Sequence, residues 1–270
     1  VVLVLVESKM SKISGTKEWA AINKNCLIGC SHDCRYCYAR TNAIRFRLCN
    51  SLEEWPHPVV IEKELKKPVG KKKGTIMFPS THDILPEFLD VEMEIIEKLL
   101  KPGNKVLIVS KPHYECIKTI CDTFTKYKDK ILFRFTIGAI DDAVLKYWEP
   151  NAPRFIERLH SLRLAFLDGY NTSVSIEPML DSEHIIDLYE TLVSLVTDSI
   201  WIGKMNQIKR RVAVYSEEDL NAIEKIEAGQ TDEKIRQIYE ALKDKPYVRW
   251  KESIKEVVGL PLAENVGEDR

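Results

Sequence analysis

Apolar runs rich in β-branched and aromatic residues recur along this chain, each followed by apolar positions at helical spacing. "TIMFPS" (75–80), "KVLIVS" (105–110), "ILFRFTIGA" (131–139), "TSVSIEPML" (172–180) and "SIWIGKM" (199–205) read as buried strands. Between them, "PEFLDVEMEIIEKLLK" carries Phe88, Val91, Ile95 and Leu99 on one helical face and ends at "PGN". "HYECIKTICDTFTKYKD" reads as the next helix, and "PRFIERLHSLRLAFLDG" as another, ending at Gly169 as its cap. "SEHIIDLYETLVSLVT" follows, opened by Ser182. An earlier strand is expected in "EWAAINKN", with a helix from Arg40 to about Leu48. Alternation of this kind predicts an α/β fold, a partial (β/α)6 barrel of parallel strands with helices outside. Beyond Met205 the chain turns charged and mostly helical. The expected organisation is a barrel over 1–205 and a helical C-terminal extension, 206–270, packed on it, with a frayed tail at the end.

Composition adds little. The 270 residues are 44% hydrophobic and 30% charged, enough for one sizeable core, and the net charge of -1 gives no global pull toward nucleic acid or membrane. Basic runs at Lys66–Lys67, Lys71–Lys73 and Lys209–Arg211 are short. The opening "VVLVLV" is too short for a membrane span or a signal core and fits an edge strand, so the chain is expected in the cytoplasm, with no membrane partner.

Cysteine placement changes the picture. Cys26, Cys30, Cys34 and Cys37 fall within "CLIGCSHDCRYCYAR". Structural zinc sites use two separated knuckles, and one short loop offers no second arm. A redox pair would use Cys34 and Cys37 and leave Cys30 without a part. Disulfides do not suit this compartment. Three thiolates from Cys30, Cys34 and Cys37 can instead hold three irons of a cubane, leaving the fourth iron for an exogenous chelator.

Cys30-x3-Cys34-x2-Cys37 with Tyr36 before the last cysteine resembles the signature of the radical S-adenosylmethionine (SAM) superfamily. The resemblance implies a [4Fe–4S] cluster on those three cysteines, with SAM chelating the open iron. It leaves Cys26 as a small buried neighbour. Cys49, Cys116 and Cys121 are scattered, so no auxiliary cluster is expected. The superfamily's glycine–glycine–glutamate loop is absent after the second strand; Ser80 and Thr81 in "FPSTHD" take its place as expected SAM contacts, and Ser80–Thr81–Asp83 equally suits a helix-entry turn. More of the chain, roughly 25–205, resembles the spore photoproduct lyase-like group. The matching stretches are "GCSHDCRYCYAR", "IVSKP", "WEPNAPRFIERLHSLRLAFLDGY" and "SVSIEPML". By that likeness Tyr36, Ser110, Lys111, Arg158, Ser175 and Glu177 join the expected cofactor contacts, with Arg158 or Glu149 expected to hold SAM or the rim helix; a surface salt bridge suits that pair equally.

The chemistry this implies is reductive cleavage of SAM to a 5′-deoxyadenosyl radical that takes a hydrogen atom from a substrate. Electrons would come from a donor such as flavodoxin or ferredoxin. Whether the enzyme is of lyase or transferase type stays open, as does the substrate. Repair of a DNA photolesion, on the pattern of spore photoproduct lyase, is one alternative, with Lys71–Lys73 and Lys209–Arg211 supplying charge. A non-catalytic iron–sulfur or zinc binding module is another. Tyr114, Trp201 and Lys204 are further rim candidates.

Overall fold

The computed structural model describes residues 12–268. The apolar run at 1–6, with its expected edge strand, lies outside the described residues. Nine strands form among the described residues: β1 (Ile22–Asn23), β2 (Leu27–Ile28), β3 (Val59–Val60), β4 (Thr75–Phe78), β5 (Lys105–Ser110), β6 (Ile131–Thr136), β7 (Asn171–Ile176), β8 (Ile200–Ile202) and β9 (Val248–Trp250). Seven make one parallel sheet in the order β1-β4-β5-β6-β7-β8-β9, while β2 and β3 pair antiparallel beside it. Six of the seven are the strands the apolar pattern predicts, and the partial barrel of parallel strands is borne out. The seventh, β9, comes from the segment read as helical: its three residues are too few to show a period.

Helices pack outside the sheet: α1 (Tyr38–Arg45), α2 (Glu62–Lys66), α3 (Leu89–Leu100), α4 (Tyr114–Thr123), α5 (Asp142–Trp148), α6 (Phe155–Leu167) and α7 (Ile185–Leu192). The C-terminal segment adds α8 (Ile208–Arg211), α9 (Glu217–Gly229), α10 (Asp232–Leu242) and α11 (Glu252–Val258). Gly169, at φ +77°, follows α6 as its sequence position predicts. By contrast α7 starts three residues after Ser182, because the Asp181 carboxylate, not a serine hydroxyl, takes the Glu183 and His184 N–H groups.

The strand period of two sorts the side chains. Ile76, Phe78, Val106, Ile108, Phe133, Phe135, Val174 and Ile176 face the helices in the main core. Each is under 2% exposed, and each such side chain contributes roughly 1.5–3 kcal/mol by burial. The alternate positions turn into the barrel, where Met77 and Leu107 pack with Ala20. Arg134 sits among them, its guanidinium 4.6 Å from the Trp19 ring and 5.4 Å from Trp201, with Nε donating to Ser173 at 2.9 Å.

The flanks of the two sheet edges are joined. Lys251, after β9, donates to the Gly15 carbonyl at 2.9 Å and pairs with Glu18, before β1. Gly267 N–H donates to Lys17 O at 2.7 Å, so the expected frayed tail is tied back onto this seam. No helix of the described residues is long and apolar enough to cross a membrane.

Candidate functional site

The cysteine loop lies between β2 and α1. Gly29 enters it at φ +102°, and a Cβ there would lie 2.7 Å from Trp55 O. Only glycine suits that approach, which lets Cys30 N–H donate to the same carbonyl at 3.0 Å. Asp33 turns the chain at φ +47° and holds Arg40 at 2.9 Å; Arg40 also donates to Arg35 O at 2.9 Å. Cys37 then caps α1, its Sγ accepting from Arg40 N–H at 3.4 Å. Cys30, Cys34 and Cys37 all open onto one cavity of about 660 Å³ at the C-terminal ends of the strands. That size suits a cofactor-scale ligand.

Burial pushes the thiols of all three cysteines up; Asp83 adds to this at Cys30, while Lys111 opposes it at Cys34. A metal or cluster would displace those protons on binding. Lys111, at the end of β5, lines the same cavity with its Nζ 3.3 Å from Asp83. Asp83 is the hub of this wall. Its carboxylate accepts from Lys111 N–H and from His32 Nδ1, each at 2.8 Å. Burial alone would raise its pKa, but Lys111 and His32 hold it well below the usual carboxylate range. Lys111 is likewise held charged against burial, chiefly by Asp83. His32 Nε2 faces His113 Nε2 at 2.8 Å, extending the network outward. A neutral thiol trio beside one ammonium and a cavity is a donor set that fits an iron–sulfur cluster with an open position.

Other expected contacts divide. Ser80, Thr81, Tyr36, Ser175 and Glu177 line the cavity. Asn25 pins the 80–81 loop: its Oδ1 accepts from Ser80 N–H at 2.7 Å and Thr81 N–H at 2.9 Å. Tyr38 OH donates to Ser80 O, taking up one carbonyl of that loop. Ser175 Oγ is buried without a hydrogen-bond partner. Ser110 and Arg158 do not reach the cavity. Ser110 shares the outward face of Ile108, and its Oγ accepts from Ile84 N–H at 3.0 Å. Arg158 is fully buried behind the loop, 2.5 Å from Glu149 Oε2. Glu149 accepts in turn from Tyr36 OH, so the pair holds the cysteine loop instead of forming a surface salt bridge. Lys204 lines the cavity, whereas Tyr114 and Trp201 do not.

Cys26 is fully buried and lies outside this wall. Its N–H donates to His82 Nε2 at 3.2 Å, and Glu92 Oε1 lies 3.4 Å from the other ring nitrogen. Sequence reasoning took Asp83 only as part of a helix-entry turn and missed His32, Asn25 and Lys251. Asp83 and His32 were legible as polar residues within the quoted motifs; Lys251 carried no local signal, because the carbonyl it donates to, that of Gly15, lies 236 residues away.

No family model matches the chain. An uncharacterized protein of Acidianus two-tailed virus is 29% identical over 191 residues, 66% of this chain and 63% of that protein. The chain therefore spans less than two thirds of that relative's length. An uncharacterized protein of Methanocaldococcus jannaschii is 27% identical over 187 residues, 65% of this chain and 67% of that one. Among solved structures, a spore photoproduct lyase mutant with bound AdoMet and dinucleoside spore photoproduct matches with a TM-score of 0.56 at 16% identity, covering 91% of this chain and 80% of that one. Spore photoproduct lyase complexed with dinucleoside spore photoproduct gives the same values. This chain therefore has the fold of spore photoproduct lyase, a partial barrel of parallel strands.

Proposed function

We propose that this protein is a radical SAM enzyme. One observation carries the reading: three thiols spaced on one loop converge on a cavity at the C-terminal ends of a parallel sheet, beside the half-buried Lys111. Cys30, Cys34 and Cys37 would hold a [4Fe–4S] cluster. A bound cluster supplies the electron that cleaves SAM and yields a hydrogen-abstracting 5′-deoxyadenosyl radical. The remaining roles belong to the chain. Lys111 offers an ammonium to a carboxylate, and Ser175 Oγ offers an unused hydroxyl. Glu149 and Arg158 orient Tyr36, and through it the loop. Electrons enter from a partner such as flavodoxin or ferredoxin.

DNA lesion repair is a second reading, supported by the dinucleoside lesion bound in the structural neighbours and by Arg211, which lines the cavity. Against it, Cys116 and Cys121 are buried in α4 and offer the cavity no hydrogen-donating thiol. Lys71 is engaged with Gly103 O, and Lys209 with Glu227 at 3.2 Å.

Anaerobic reconstitution with iron and sulfide tests the enzyme reading. The expected result is a cluster whose electron paramagnetic resonance spectrum changes on adding SAM, and 5′-deoxyadenosine after reduction. A colourless protein holding one zinc would overturn it in favour of a binding module. For the second reading, absence of salt-dependent binding to irradiated duplex DNA would remove DNA as the substrate.

A further inference from the structure

Three carboxylates surround one ammonium where the two edges of the sheet meet. Lys251 is 0% exposed. Its Nζ pairs with Glu18 Oε2 and lies 3.4 Å from Glu177 Oε2 and 4.0 Å from Glu252 Oε2. The Trp19 ring covers it at 4.1 Å. Glu18 is 1% exposed and Glu252 8%. Glu18 Oε1 accepts the backbone N–H of Glu252 at 3.0 Å, and both carboxyl groups face the same ammonium. Glu18 Oε2 is taken up by Lys251, whereas Glu252 Oε2 is buried without a hydrogen-bond partner among the described residues.

One ammonium does not balance three carboxylates, two of them buried, and crowded like charges do not all ionise. We propose that Glu18 and Glu252 hold one proton between them and form an acid–base site on the cavity wall. A shared proton gives Glu252 Oε2 the partner it lacks. Glu252 and Glu177 line the cavity and Glu18 stands behind them, so Glu252 is the carboxyl a ligand meets. Such a site takes a substrate group that accepts a hydrogen bond or a proton: a carbonyl oxygen or a basic nitrogen. Handing over the proton leaves both glutamates as carboxylates beside Lys251, and solvent restores it.

Burial, then the hydrogen bond with Glu252, pushes Glu18 up to about 9 against the pull of Lys251. Burial raises Glu177 as well, opposed by Lys251 and, more weakly, Arg211. Lys251 stays charged against burial because Glu177 and Glu18 hold it so. The other charged groups around the site are Lys204 and Arg211 on the cavity wall, the Lys12–Glu256 pair at 2.6 Å, and the buried Lys255 of α11.

The shared proton is independent of any cluster; its use toward a substrate rests on the cavity being the reaction chamber proposed above. Glutamate labelled with carbon-13 at Cδ, followed by NMR in the full chain without iron from about pH 5 to about pH 10, tests the proton directly. One glutamate carbon should titrate above about pH 8, vanish in Glu18→Gln, and move down by about one unit or more in Glu252→Gln, a tenfold loss of proton affinity. Glu92, pushed up to about 7 by burial, is identified by Glu92→Gln. The proposal is overturned if every other glutamate titrates below about pH 7, or if the high midpoint ignores Glu252→Gln. Should Glu18→Gln not fold, as circular dichroism would show, the unsubstituted chain and Glu252→Gln decide the matter. Failure here leaves the cluster and 5′-deoxyadenosine results untouched, and the reverse holds.

Discussion

Arg158→Met removes one half of an ion pair in which both side chains are 0% exposed. Glu149 then keeps Tyr36 OH as a donor, but its Oε2, 2.5 Å from the guanidinium, is left as a buried charge without a counterion. Arg158 also donates to Pro153 O at 2.8 Å and Thr136 O at 3.2 Å, so two buried carbonyls lose a donor with it. Breaking a buried pair from one side costs about 3–5 kcal/mol. That is a large share of the roughly 5–15 kcal/mol that holds a domain together. Adding Glu149→Gln removes the stranded charge while Tyr36 retains a carbonyl acceptor. The double variant should therefore recover about half of the loss or more, because neutralising both partners of a buried pair is far cheaper than stranding one. Urea unfolding of the iron-free chain, with the slope checked for constancy, measures both. Iron retained per chain after reconstitution should follow the same order, because Tyr36 belongs to the cysteine loop. A loss below about 1 kcal/mol for Arg158→Met, or strict additivity in the double variant, would refute the view that this pair holds the loop.

Other substitutions separate the neighbouring roles. Gly29→Ala places a Cβ 2.7 Å from Trp55 O at φ +102°, so it should lower stability by about 1–3 kcal/mol and sharply cut iron incorporation, read by melting and iron analysis. Cys26→Ala should keep a full iron complement, whereas alanine at Cys30, Cys34 or Cys37 should abolish it. Lys111→Met should weaken SAM binding about tenfold or more at unchanged iron content, measured by equilibrium titration of the reconstituted protein. Glu92 is held up to about 7 by burial, so its native form binds a proton that the unfolded chain releases near 4.3. Its contribution is present below that unfolded value and is lost as pH rises through about 7. Glu92→Gln should therefore gain on the unsubstituted chain over that window, by an amount on the order of 1–3 kcal/mol in urea unfolding, and the two should run parallel outside it.

Local pattern determined most of the architecture. Six parallel strands were legible because each is an apolar run with β-branched and aromatic residues, followed by a helical period, and those are properties of neighbours in sequence. The three cavity-lining cysteines were legible for the same reason: they lie on one loop, so their spacing already constrains where the thiols can go. What tertiary structure alone decided are the groups that meet from distant segments. Ser110 and Lys111 are adjacent in sequence, yet the strand period sends one to the helices and leaves the other on the cavity wall. Arg158 and Glu149, fit by spacing for a surface pair, are instead buried under Tyr36. Lys251 meets Glu18 only because the barrel brings its two edges together, and a charge that far along the chain has no local pattern to announce its partner. Burial and charge pairing are set by the closed fold, whereas strand period and motif spacing are set by the chain.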